Sequence, residues 1–313
     1  MEKEKHTNIL LFSIDFEDIR MLVPDGMKYS ERVPAMMEKY LTFLQNKNAK
    51  ATFFVVGNTV KLYSSLLKDI AKEGHEIACH THNHIPLDQH TKASFREDIL
   101  LNIDALTSIG CEQPKGFRAP GLSLTAKTQW AYDVLQELGF TYSSSVMATN
   151  SAFHSWADFG KEFKEVKKGF WELPPTLMEN NFLCFPFASS VYFRFLPAFV
   201  SRNALRIKFN KKSPIISYFH AFDIDYEQEH FMHPGVNDNR LFNFLMYYNR
   251  KGMLEKFESV LPDNYTIMPH GEYVKNILMQ TNKIKPIVSK TAVDIGCTAT
   301  PLHTEVLSAN TAK

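Results

Sequence analysis

The chain has 313 residues, 44% of them hydrophobic, which is enough to bury a substantial core, and its 35 Lys plus Arg nearly cancel its 34 Asp plus Glu. That balance supplies no global field suited to gripping nucleic acid, so no nucleic-acid partner is expected. The four cysteines, Cys79, Cys111, Cys184 and Cys297, lie far apart with no CxxC pair, which argues against a zinc knuckle and against a disulfide-stapled secreted fold.

From the start of the chain, MEKEKHTNILLFSIDFED has a charged beginning and only a short apolar run, Ile9 to Phe12. A signal peptide needs a longer apolar segment, and no window approaches the ~20 apolar residues that span a bilayer. The expectation is a soluble, reduced, cytoplasmic protein. NILLFSID reads as a buried strand, RVPAMMEKYLTFLQNK as a helix with proline near its start, and ATFFVVG as a second strand. TVKLYSSLLKDIAKEG then reads as a helix closed by Gly74, and HEIAC as a third strand entering a histidine-rich loop. FREDILLNIDALTSIG and TAKTQWAYDVLQELG read as helices flanking KGFRAP, SPIISYFHAF as a late strand, and DNRLFNFLMYYNRKGMLEKFESVL as one long helix.

Such alternation means a mostly parallel sheet with helices outside it. Without GxGxxG or GxxxxGK[ST] after the first strand, an α/β barrel fits better than a doubly wound sheet. The expected architecture is a distorted (β/α)7-type barrel, one catalytic domain over 1–282 whose C-terminal helical extension covers about 226–282. Residues 283–313, rich in Thr, Ser and Ala without a sustained period, are expected to form a flexible tail. In a barrel, reactive groups cluster at the carboxyl ends of strands, where Asp15, His80, Arg118 and His220 all fall.

GHEIACHTHNH places His75, His80, His82 and His84 in eleven residues. His80 and His84, spaced i and i+4, can point one way on a turn as zinc-binding pairs do, leaving His82 beside the site; polar loop histidines are the bland alternative. SIDFED offers Asp15, Glu17 and Asp18. In extended chain Asp15 and Glu17 share a face, which suits one as ligand and the other as a nearby base, whereas Asp18 could simply cap the next helix. Arg118, in GFRAPG, can hold a carboxylate or bind substrate oxygens, with Pro120 fixing the turn behind it. Trp171 and Glu172, in FWELPP, offer a pocket wall and a carboxylate partner for Arg118. His220 ends an apolar strand, as a general acid or as an ordinary core histidine, and Asp223 and Asp225 could orient it or simply begin the following loop.

Together these motifs resemble the polysaccharide deacetylases, carbohydrate esterase family four with its NodB-homology domain. SIDFED is similar to the family's Thr-Phe-Asp-Asp-Gly, HTHNH to its His-Ser/Thr-x-x-His, GFRAPG to its Arg-x-Pro-x-Gly, and SYFHAFDID to its last, histidine-bearing strand. The finer likeness is to the exopolysaccharide-locus deacetylases of exosortase systems, whose first motif reads Asp-x-Glu-Asp. Two departures stand out: Phe16 occupies the place of the usual second aspartate, and HTHNH adds His82 to the pair His80 and His84; Glu172 would replace the fourth-motif aspartate.

The resemblance implies a divalent metal, most simply Zn2+, held by Glu17, His80 and His84, with Asp18 as the alternative carboxylate. It further implies Asp15 as base, His220 as acid, Arg118 as the group that fixes Asp15, and Trp171, Glu172, Pro120 and His82 as substrate-binding. The implied reaction removes an N-acetyl group from an amino sugar of a polysaccharide or of its nucleotide- or lipid-linked precursor. Alternatives are another C–N hydrolase acting on a small cyclic amide, or a catalytically inactive carbohydrate-binding relative. The basic, aromatic stretch 192–212 suggests peripheral contact with the inner face of a membrane, or a core helix with a solvated basic face.

Overall fold

The computed structural model describes residues 8–280 apart from 151–153, 180–183, 212 and 237; the tail expected over 283–313 lies outside the described residues. Strand β1 (Asn8–Phe16) is the hub of the sheet. Its side chains alternate between two dry environments, as a strand covered on both faces requires. Leu10, Phe12, Ile14 and Phe16 pack outward among residues of the flanking helices, including Met36, Tyr40 and Phe257. Leu11 points inward with Phe54, Ala78, Tyr142 and Trp171. Phe12 alone is ringed by Tyr40, Phe43, Phe219 and Phe257 at centroid distances of 5.4 to 6.3 Å. Truncating it to Ala would cost about 3–5 kcal/mol.

Next come α1 (Val33–Asn46), β2 (Thr52–Val55), α2 (Ser64–Lys72), β3 (Glu76–Cys79) and α3 (Lys92–Ser108), as the sequence leads one to expect. β4 (Gly116–Phe117), α4 (Ala131–Glu137), β5 (Tyr142–Ser143), β6 (Lys164–Lys167) and β7 (Phe170–Glu172) follow. The chain continues through β8 (Met178–Glu179), β9 (Cys184–Phe185), α5 (Ser190–Phe195), α6 (Ala198–Asn210) and β10 (Ile215–His220). It closes with α7 (Arg240–Tyr247), α8 (Met253–Val260), β11 (Tyr265–Met268) and α9 (His270–Tyr273).

The main sheet runs β10-β1-β2-β3-β4-β5-β7-β6. Seven of these strands are parallel and the edge strand β6 is antiparallel. The sheet curls as a distorted, open barrel, the architecture expected. β11 pairs with the amino-terminal half of β1, through Asn8↔Tyr265 to Leu11↔Met268. The turn that follows plugs the barrel floor. There the His270 N–H donates to Thr52 Oγ1 at 2.9 Å, the His270 ring stacks on Tyr142, and Gly271 N–H reaches Glu76 Oε2.

Four expected helices are shorter than their patterns, and of the one expected over 59–74 only Ser64–Lys72 is α-helical. The long helix of 238–261 divides into α7 and α8, because Asn249 and Gly252 adopt positive φ and Arg250 turns inward to Asp225 O and Gln228. The stretch 192–212 divides at Pro197 into α5 and α6, since proline cannot continue the first helix. The helix expected over 125–139 keeps only Ala131–Glu137. Thr128 instead bonds Ser123 O and accepts from Thr125 N–H, forming a turn.

Candidate metal and hydrolase centre

The site stands at the carboxyl ends of β1, β3 and β10. Register places Asp15 opposite His220 on adjacent parallel strands. Phe16, the residue out of pattern, faces the helices and packs edge-on to Tyr63, so the inward positions fall to Asp15 and then Glu17. One ligand atom each of Glu17, His80 and His84 lies within 4.8 Å of the others, the one such His/Cys/Asp/Glu group among the described residues. Glu17 Oε2 is 2.9 Å from His84 Nε2, yet it is buried without a hydrogen bond. Lone pairs that converge without bonding one another suit a shared cation, so the residues present fit a divalent metal.

The imidazoles are aimed from behind. His80 Nδ1–H donates to Arg118 O at 2.8 Å, which fixes the tautomer and leaves Nε2 as the open donor pair. Burial pushes the His80 pKa down to about 4, keeping the ring neutral as a ligand must be. The loop that carries His84 is strained, with positive φ at Thr81 and His84. It is clamped by α3: Asp98 accepts from the N–H groups of His82 and Asn83 at 2.6 and 3.1 Å, and Asn102 donates to Thr81 O and Val55 O. Burial opposes ionisation of Glu17, but the surrounding His84, His220 and His80 draw its pKa down to about 2.

Asp15 is held at one oxygen and open at the other. Arg118, fully buried, donates to Asp15 Oδ1 at 2.6 Å and to Ser13 Oγ at 3.0 Å. Nε and Nη2 donate to Ser144, and its guanidinium lies 4.0 Å from the Phe54 ring centre. Asp15 Oδ2 stands 3.8 Å from Nε2 of both His80 and His220. His220 Nδ1 lies 3.1 Å from Asp223 Oδ2. Asp223 is buried between Arg194 Nε at 3.1 Å and Ser190 Oγ at 2.9 Å. Burial alone would lower the His220 pKa; the Asp223 hydrogen bond and the Glu17 charge outweigh it and raise it to about 9.

The remaining sequence candidates stand elsewhere. Asp18 caps the turn Ile19–Leu22 and engages Arg20 and Tyr63, at 2.7 and 2.6 Å, so it is not grouped with the imidazoles. Glu172 does not meet Arg118. It is fully buried and accepts from the N–H groups of Ser145 and Val146 at 2.7 and 2.9 Å and from Tyr132 OH. Trp171 packs in the barrel interior with Phe54 and Tyr142 rather than lining an open wall. The His82 ring sits against Gly57, where a Cβ would stand 2.4 Å from its Nδ1. Pro120 is buried at the start of the turn Pro120–Leu122. Arg194, expected on the basic surface, is buried against Asp223.

Asp98, Asn102 and Arg194 escaped the sequence reading as site residues, whereas Asp223, read there as able to orient His220, does bond it. Asp98 and Asn102 left a trace, polar residues four apart on the side of α3 that carries Phe95 and Ile99 into the core.

The chain is thus an α/β protein whose curled, mostly parallel sheet carries a candidate His/His/carboxylate metal centre at its carboxyl mouth. Residues 16–143 match the family model described as polysaccharide deacetylase, and residues 144–269 match a domain of unknown function, DUF3473. The chain carries a domain of the polysaccharide deacetylase family joined directly to a DUF3473 region. It is 34% identical over 94 residues to a peptidoglycan-N-acetylglucosamine deacetylase of Bacillus cereus, covering 30% of this chain and 34% of that one. It is 35% identical over 98 residues to a chitooligosaccharide deacetylase of Bradyrhizobium sp., covering 30% and 41%. The alignments therefore span less than half the length of these curated relatives. Among solved structures, a Mycobacterium smegmatis protein assigned as a polysaccharide deacetylase superposes with a TM-score of 0.56 at 17% identity, covering 90% of this chain and 94% of that one. PuuE allantoinase gives 0.53 at 13%, covering 87% and 91%. These likenesses establish the fold. The boundary between the two matched regions falls inside one sheet: β5 ends the first, while β7 and β10 come from the second, which thus supplies His220, Asp223 and Arg194.

Proposed function

We propose that the chain is a metal-dependent hydrolase that removes an N-acetyl group from an amino sugar. The carrying observation is the convergence of Glu17, His80 and His84 within 4.8 Å, with Asp15 and His220 facing the same space. A bound divalent cation, most simply zinc, held by those three residues would lower the pKa of a bound water towards ~7 and polarise the amide carbonyl. Asp15, fixed through Oδ1 by Arg118, keeps Oδ2 free to take the proton of the attacking water. His220, held at Nδ1 by Asp223, presents Nε2 to the leaving nitrogen and supplies the proton that an amine needs to depart. The Arg118 side chain meets four polar atoms of the protein, so its role is to orient Asp15.

The named relatives act on peptidoglycan N-acetylglucosamine and chitooligosaccharides, which supports an N-acetylated amino sugar as substrate. That sugar belongs to a polysaccharide or to its nucleotide- or lipid-linked precursor. Metal analysis and acetate release test the reading together. We expect about one divalent ion per chain, lost in the His80→Ala/His84→Ala double variant, and one acetyl group lost per sugar by mass spectrometry. Ring opening of a cyclic amide without acetate would identify a different C–N hydrolase. Metal-free protein that still binds glycan would identify an inactive carbohydrate-binding relative.

A further inference from the structure

We propose that the face built by α5, the start of α6 and α7 docks onto an anionic lipid bilayer. Helix α7 buries none of its residues, although RLFNFLMY is among the most apolar runs of the chain. Its apolar side chains point outward instead: Leu241 is 68% exposed and Phe244 60%, beside Phe195 at 61% and Phe199 at 72%. Phe195 and Phe244 form one surface, and Phe199 stands at helical spacing from the exposed Arg202 and Arg206 of α6. Tyr248 bridges the two helices, with its ring 6.1 Å from Phe195 and 5.9 Å from Phe244. Arg194 ties them rigidly, its guanidinium donating to Tyr248 O while Asn249 donates to Arg194 O at 3.0 Å. A helix held in place with its aromatic stripe facing out has the composition of an interfacial element.

Charge decides between lipid and other occupants. From residue 195 to 222, beyond the buried Arg194, the chain has five Lys or Arg and no Asp or Glu, and 240–254 is also free of acids. In a chain whose overall charges nearly balance, this concentrates positive potential beside the exposed aromatics; Arg202, Arg206 and Arg240 are all exposed. Aromatic and aliphatic groups beside arginines match a phospholipid headgroup layer of negative charge. Among the described residues no helix is long and apolar enough to cross a membrane, so the contact is interfacial. The surface adjoins the site, because Ser190 and Arg194 of α5 hold Asp223, which holds His220. The inference is independent of the deacetylase reading, since docking is measured without turnover.

The test is co-sedimentation of the full chain with phosphatidylcholine vesicles, with and without a third of phosphatidylglycerol. Binding is expected only to the anionic vesicles and should weaken as salt is raised. Replacing Phe195, Phe199 and Phe244 together by Ser should weaken it at least ~10-fold. Each of Arg202→Glu and Arg206→Glu should remove at least ~5-fold. All five positions are exposed, and circular dichroism with a thermal melt checks that each variant stays folded. Failure of the native chain to sediment with anionic vesicles overturns the proposal, as does a folded triple variant that binds unchanged. A dimer in sedimentation equilibrium that dissolves in the triple variant, with no vesicle binding, also overturns it and assigns the face to a second copy of the chain.

Discussion

Asp223 grips His220 twice, through the backbone N–H at 2.8 Å and through ring Nδ1 at 3.1 Å. The imidazole is thereby fixed in orientation and biased towards its charged form, its pKa raised to about 9 against the burial that would lower it. A proton donor is useful only while protonated, so turnover should fall as pH rises through about 9. The same raised pKa contributes stability that is fully present below the unfolded value of ~6.5 and disappears as pH climbs through the folded one. In Asp223→Asn the alkaline fall should move towards neutral pH, read from a pH–rate profile. An unmoved alkaline limb would remove Asp223 from this role.

Asp15→Asn keeps the size and one acceptor oxygen but cannot take a proton. Metal content should stay near that of the parent chain while kcat drops ~10²–10⁴-fold. Parallel metal analysis and acetate release decide it. Retained turnover would take the base away from Asp15.

The clamp on the histidine loop predicts an effect at a residue that offers the ion nothing directly. Asp98→Ala frees two backbone N–H groups beside His82 and Asn83. The strained φ at His84 then loses its support, and metal affinity should fall ~10–100-fold in a chelator competition titration. Unchanged affinity would show that the loop holds its shape alone.

Glu172 offers a contrast. Its carboxylate, pushed up in pKa by burial, anchors the start of the loop after β5 through Ser145 and Val146. Glu172→Ala should cost about 2–4 kcal/mol in stability by orphaning those donors, visible as a lowered Tm. KM should change little. A large rise in KM at unchanged Tm would restore the substrate-binding role read from the sequence.

Much of the centre was legible because metal chemistry restricts residue types. Asp15, Glu17, His80, His84, Arg118 and His220 stood out as reactive side chains ending apolar strands, and the structure brings all six together. What periodicity missed was the supporting layer. Arg194 looks like a surface residue until a three-dimensional contact between α5 and the end of β10 pairs it with Asp223, whose place beside His220 was already legible. FWE resembles a pocket motif, but the face on which Trp171 lands depends on its pairing with Tyr142. The helix broken at Asn249 shows tertiary demand overriding a continuous apolar pattern, whereas the break at Pro197 is written in the sequence itself.

The placement of β11 has a consequence for how the chain acquires its shape. On leaving the ribosome β1 still lacks two of its partners: in the fold it is hydrogen-bonded to β10 along Leu10–Asp15 and to β11 along Asn8–Leu11. Those partners emerge more than 200 residues later, about 10–40 s at ordinary synthesis speeds. Until then an oily ribbon bearing Asp15 waits half-paired, so a nascent chain stalled before Tyr265 should be a client of chaperones even though every metal-site side chain has already been made.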